Sequence, residues 1–162
     1  MLLNRQVQTM LGFVAVAALA SAQDQVAAAT IEVTATVPSA CTVESGSLDF
    51  GAYGAGPQAP SVQATGGFNV QCTSPASVEI KLDGGLNEGA GGDARAMKGP
   101  GDNYLNYALF EGSLSMPWPD FGMIYTVESG ANEIVVDGVV HEGQTVQAGE
   151  YSDTVQIIMT FF

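Results

Sequence analysis

The sequence predicts an all-β sandwich. Short runs alternate apolar and polar residues with a period of two, which puts one face of each run in a core. Turn-forming residues separate the runs, with 20 glycines and 7 prolines among 162 residues. Beyond the first 22 residues, apolar periodicity of the helical kind is hard to find. Many short strands punctuated by turns are the pattern of two packed antiparallel sheets.

The alternation starts at Thr30–Val37. Ile31, Val33, Ala35 and Val37 form one apolar face against Thr30, Glu32, Thr34 and Thr36. Pro38-Ser39-Ala40 breaks the run, and no hairpin partner stands nearby. This strand is therefore expected to lie outside the body of the domain, where another molecule can take it up. Cys41–Glu44 follows, continued by Ser47–Phe50 after Gly46. Val62–Cys72 is the next strand, in which Gly66-Gly67 predicts a bulge or bend. Ser77–Leu82 is apolar at Val78, Ile80 and Leu82, with Glu79 and Lys81 facing water. Tyr104–Phe110, Gly122–Val127 and Glu133–Val140 continue the series.

Tyr151–Phe162 is the longest run, apolar at Tyr151, Val155, Ile157, Met159 and Phe161. Ile158 and Phe162 add apolar positions on its second face. So hydrophobic a strand is a poor open edge, because open edges template aggregation. A partner strand is expected along it.

Between the strands, Gly84–Asp102 reads as one long surface loop. It holds Glu88 and Asp93 just after Asp83, but the spacing fits no calcium loop, so no metal is expected. Met116-Pro117-Trp118-Pro119 reads as a turn that packs Trp118 at the sandwich rim.

Residues 1–22 have the features of a secretory signal. Arg5 precedes an apolar run, Met10–Ala20, of 11 residues, too short to span a bilayer. Ala20-Ser21-Ala22 is an A-x-A cleavage site, with a second possible cut at Ala27-Ala28-Ala29. The expected organisation is a signal over 1–22, an N-terminal extension over 23–38 and a sandwich domain over 39–162. Export places Cys41 and Cys72 in an oxidising compartment, where two cysteines allow one bridge. A loop of this length is worth about 3–4 kcal/mol in the chain-entropy model.

Past the signal, Lys81, Arg95 and Lys98 face seventeen acids, a net charge of about −14. Such a surface repels nucleic acid and anionic membrane. Nothing in the chain points to catalysis. His141 is the single histidine and reads as part of a solvent-facing turn before Glu142-Gly143; no G-x-S-x-G stands anywhere. No catalytic residue, cofactor or small-molecule substrate is expected.

A series of motifs goes further. Cys41-Thr42-Val43 leads to Leu48-Asp49-Phe50-Gly51-Ala52-Tyr53 and then to Asn69-Val70-Gln71-Cys72-Thr73. Arg95-Ala96-Met97, Leu105–Phe110 and Gly143-Gln144-Thr145 follow, and Gln147–Val155 closes the series. In this order and spacing the chain resembles the spore coat protein U domain family, from about Thr30 to Phe162. That family includes the subunits of archaic, Csu-type chaperone–usher pili. The resemblance implies an incomplete immunoglobulin-like β-sandwich, completed by donor-strand complementation. A periplasmic chaperone would lend the missing strand first. At the outer-membrane usher, the N-terminal segment of another pilin subunit would replace it. On this reading Ile31, Val33, Ala35 and Val37 are the donor side chains, and Val155, Ile157, Met159 and Phe161 line the acceptor groove opposite Cys41–Val43. The chain would pass through the periplasm to the cell surface and polymerise there for attachment and biofilm formation. Two other readings use the same domain: a secreted spore or cell-coat protein, and a monomeric carbohydrate-binding sandwich whose Thr30–Val37 completes its own sheet.

Overall fold

A computed structural model of the protein describes residues 27–92 and 95–162. The expected signal over 1–22 lies outside the described residues. The chain forms two units, one reaching Thr36 and a compact body from Val37 to Phe162. Residues 27–40 form no helix or strand and are exposed, with Ile31, Val33 and Val37 each more than four-fifths open to solvent.

The body consists of two antiparallel sheets. Its strands are β1 (Cys41–Val43), β2 (Val62–Cys72), β3 (Ala76–Leu82), β4 (Arg95–Lys98), β5 (Tyr104–Glu111), β6 (Met123–Val127), β7 (Gly130–Val140) and β8 (Ile157–Phe161). The larger sheet has the order β1-β2-β7-β5-β4 and the smaller one β6-β3-β8. Phe68, Val70, Leu105, Leu109, Ile134 and Val136 of the larger sheet meet Val78, Ile80, Leu82 and Val127 of the smaller. Burial alternates along β2, β3, β5 and β7 as the sequence periodicity requires.

β2 and β7 pair over their full 11 residues, from Val62 opposite Val140 to Cys72 opposite Gly130. The ladder runs through Gly66 and Gly67 unbroken, so the bulge expected there is absent. It lies instead on the facing segment. Val43 is opposite Val70 and Glu44 N donates to Asn69 O, yet Ser47 bridges Gly67. Two residues, Ser45 and Gly46, therefore oppose Phe68 alone, which is a one-residue β-bulge. It explains a change of parity: Cys41 and Val43 face inward before it, and Leu48 and Phe50 after it. The glycines of β2 let this segment approach, since a Cβ at Gly66 would meet Ser47 O and one at Gly46 would meet Gly67 O.

Two other strands differ from expectation. Arg95–Lys98, inside the expected long loop, is β4, paired with β5 from Arg95 opposite Tyr107 to Lys98 opposite Tyr104. The final strand is shorter than the run Tyr151–Phe162. Ser152 pairs with Lys98 of the larger sheet, whereas Ile157–Phe161 pairs with β3 of the smaller. The terminal segment thus crosses from one sheet to the other, paired with β4 at Ser152 and with β3 from Ile157 onward.

Candidate functional site

The two sheets do not close on each other along one side. β1 ends the larger sheet and β8 ends the smaller, and the two edge strands lie near each other. Between them an open groove of about 430 Å³ runs from Gly46–Leu48 to Tyr151–Ile157. Its floor is core: Phe68, Leu82, Tyr107, Leu109 and Val136 line it. A sandwich that exposes its own core along one seam leaves room for one more strand.

The terminal segment forms one wall. Tyr151, Asp153, Val155, Ile157 and Met159 are half-buried and face the core, alternating with exposed Ser152, Thr154, Gln156, Ile158 and Thr160. Phe161 continues the inward face but is 43% exposed. The backbone alternates too. Ser152 exchanges bonds with Lys98, Gln156 O accepts from Asp83 N, and Phe162 N donates to Ser77 O. The even-numbered residues thus spend their main-chain groups on β4 and β3. In an antiparallel ladder the intervening residues point theirs the other way. Asp153, Val155, Ile157, Met159 and Phe161 therefore direct their main-chain groups at the open edge, where no described strand pairs with them. The opposite wall is β1 with its bulge. The Cys41–Cys72 disulfide joins directly opposed residues there and ties this three-residue edge strand to β2.

A polar cluster braces one end of the groove. Arg95, 7% exposed, donates from Nε to Asp83 O at 2.9 Å and from Nη2 to Leu82 O at 2.8 Å. One buried guanidinium so links β4 of one sheet to the end of β3 in the other. The Asp83 carboxylate accepts from Gly85 N and Gln156 N. Asp153 Oδ1 accepts from Leu86 N and Asn87 Nδ2, and its Oδ2 accepts from Tyr107 Oη at 2.7 Å. Burial, then the bond to Asp153 and its charge, push the Tyr107 hydroxyl well above its ordinary pKa, while the nearby Arg95 charge opposes them. Asp83 is thus a structural acceptor. Among the described residues no group of three metal-ligating side chains gathers; Asp93 lies outside them.

A second bracket holds the approach to the terminal segment. Gln144 Oε1 accepts from Asn106 N at 2.7 Å and its Nε2 donates to Asn106 O at 2.9 Å, so an amide side chain takes the place of a strand beside β5. Tyr53 Oη donates to His141 O and accepts from Gln144 N. His141 itself is exposed at the end of β7. Trp118 is 3% exposed and belongs to the core beside Tyr125, so it offers no ring face for a ligand.

A family model described as the Spore Coat Protein U domain matches residues 27–158. The chain belongs to the Spore Coat Protein U domain family. The match spans both the exposed segment that carries Ile31 and the groove wall as far as Ile158. Protein U of Myxococcus xanthus is 29% identical over 168 residues, which cover 89% of this chain and 90% of that protein. Among solved structures, the fold is similar to a chain in the CsuC–CsuE chaperone–tip adhesion subunit pre-assembly complex of archaic chaperone–usher Csu pili from Acinetobacter baumannii. The TM-score is 0.55 with 22% identity, covering 76% of this chain and 40% of that one. That likeness supports the immunoglobulin-like sandwich expected from the sequence, and the chain spans well under half the length of that neighbour. The family is structural and non-enzymatic.

The site residues expected from the sequence are placed as follows. Cys41 and Cys72 are bonded. Val155, Ile157, Met159 and Phe161 share the inward face of the terminal segment. Ile31, Val33, Ala35 and Val37 are exposed and belong to no strand. Asp153, Tyr107 and Arg95 were absent from the expected set. A charged residue on the inward face of an apolar strand was the available signal for Asp153.

Proposed function

We propose that this protein is a structural subunit of a surface fibre, a chaperone–usher pilus, that grows by strand insertion between copies. The open groove carries the proposal. It offers an apolar floor and a row of main-chain groups directed at an unpaired edge, the two things an extended strand supplies in return. Thr30–Val37 has the matching chemistry, with Ile31, Val33, Ala35 and Val37 on one face. Burying its three branched side chains is worth roughly 5–9 kcal/mol before ordering costs. The contact is head-to-tail and does not close, so it propagates a fibre.

Three partner classes follow. A periplasmic chaperone occupies the groove during transit, an outer-membrane usher exchanges it, and further subunits supply the permanent strand. The fibre then serves attachment at the cell surface and biofilm formation. The full-length similarity to Protein U favours a second reading, a secreted coat protein using the same insertion. Genes for a chaperone and an usher beside this one would decide for the pilus. The direct test is expression with and without those two proteins. Polymer is expected with both, and aggregated or degraded chain without the chaperone. A stable, soluble monomer made alone would overturn the reading.

A further inference from the structure

Asp153 is the one carboxylate on the inward face of the terminal segment, between Tyr151 and Val155. Three donors hold it: Leu86 N, Asn87 Nδ2 and Tyr107 Oη. These bonds oppose its swinging away when a strand arrives. An apolar side chain placed against it would strip water from a fixed carboxylate without supplying a hydrogen bond, which is costly.

The incoming segment has its own end. Pro38 has no N–H and cannot continue a central strand. Beyond it, Ser39 Oγ shares a 2.8 Å hydrogen bond with Ser74 Oγ, and Ala40 N donates to Thr73 Oγ1 at 3.0 Å. Those residues are committed to their own domain, so Val37 is the last apolar side chain free to insert.

We propose that Asp153 is a register stop, and that Thr30–Val37 of a second copy inserts antiparallel with Val37 opposite Val155. Ala35 then faces Ile157, Val33 faces Met159 and Ile31 faces Phe161. All four donor side chains meet apolar partners, and the small Ala35 lies against the large Ile157. Pro38 leaves the groove beside Asp153, so the end of the donor coincides with the end of the apolar wall. A slip of one alternate residue in one direction places Val37 on Asp153. The opposite slip carries Ile31 past Phe161, where β8 ends. This assignment rests on the strand-insertion reading and adds to it a register and the residue that sets it.

Engineered cysteines in the full chain, assembled with chaperone and usher, test it. In the proposed register Thr36 opposes Gln156 at a non-hydrogen-bonded position, where Cα atoms are close enough for a disulfide. Thr36→Cys with Gln156→Cys should link neighbouring copies into a ladder on non-reducing gels. Thr34→Cys with Gln156→Cys and Thr36→Cys with Ile158→Cys, which report the two slipped registers, should link about tenfold less or weaker still. Adding Asp153→Leu should raise the Thr34–Gln156 product, and Asp153→Asn should do so more weakly, serving also if the Leu variant fails to fold. Dominant linking by a slipped pair, or a pattern unchanged by both Asp153 substitutions, overturns the register stop and leaves strand insertion standing. Polymer that forms while no pair links overturns strand insertion itself.

Discussion

Tyr107 and Asp153 join by a 2.7 Å hydrogen bond from the floor of the groove to its wall, from β5 of the larger sheet to the segment that becomes β8 of the smaller. The bond braces one end of the open groove. It acts with Arg95, which ties β4 to the carbonyls that end β3. The groove is held open by polar struts at one end and by a disulfide-anchored edge strand on its far wall.

Removing the acceptor of that bond should cost stability. Asp153→Ala strands Tyr107 Oη, Leu86 N and Asn87 Nδ2 together. A loss of about 2–3 kcal/mol is expected, chiefly because the Tyr107 hydroxyl loses a charged acceptor. Leu86 is exposed and Asn87 is only half-buried, so water replaces much of what they lose. Tyr107→Phe removes one bond and should lose about 1–2 kcal/mol. Urea unfolding of a form carrying residues 30–37 fused after Phe162 as its own donor would measure both. Equal losses for the two variants would mean that the bonds to Leu86 and Asn87 contribute nothing.

Alkali should weaken the fold through two tyrosines. Burial first, then Asp153, raises Tyr107; burial first, then Glu111, raises Tyr125. In the unfolded chain both titrate near 10, so the fold favours their neutral forms. The stability they contribute is complete below that pH and is lost as pH climbs above it. Urea midpoints measured from about pH 9 to about pH 11 should fall steeply. Combining Tyr107→Phe with Tyr125→Phe should flatten that fall, and an unchanged slope would assign the loss to other groups.

Gly46 is fixed by backbone approach. A Cβ there would run into Gly67 O and the Phe68 side chain. Gly46→Ala should therefore displace the bulged wall of the groove and cost about 1–3 kcal/mol, the range of overpacking. Gly54, with nothing within 4 Å of its Cβ position, is the control and should accept Ala with little change. Thermal unfolding of the two variants side by side distinguishes them.

Much of this was readable in the sequence where periodicity reports burial. β2, β3, β5 and β7 appear within a few residues of their alternating runs, and the inward face of the terminal segment is the one predicted. What could not be read is set by contacts between distant residues. Arg95–Lys98 shows no alternation; it is a strand through its ladder with β5, and the Arg95 side chain is buried because it finds the carbonyls of Leu82 and Asp83. Gly66-Gly67 marks a site of close approach, and local chemistry cannot say which of two facing segments bulges there. The crossing at Asp153 depends on Ser152 pairing with Lys98 and Gln156 with Asp83, two partnerships that periodicity along one strand does not encode.

A charge on the donor face separates insertion from simple surface association. Val33 is exposed in the isolated chain, so Val33→Asp should leave export and chaperone-bound yield unchanged. In the assembled fibre the same carboxylate would be buried opposite an apolar wall without a partner, at a cost of several kcal/mol. Polymer yield should then fall by about a hundredfold or more, since each 1.4 kcal/mol is tenfold. Thr34→Asp, one position along and on the opposite face, should assemble nearly as well as the parent. Deleting residues 23–37 should abolish growth while sparing chaperone binding. Electron microscopy of sheared fibres, with quantitative gels of chaperone-bound subunit, reads both quantities. Normal fibre from Val33→Asp would mean that this face is not buried in assembly, and equal damage at Thr34 would mean that charge alone, not facing, disturbs it.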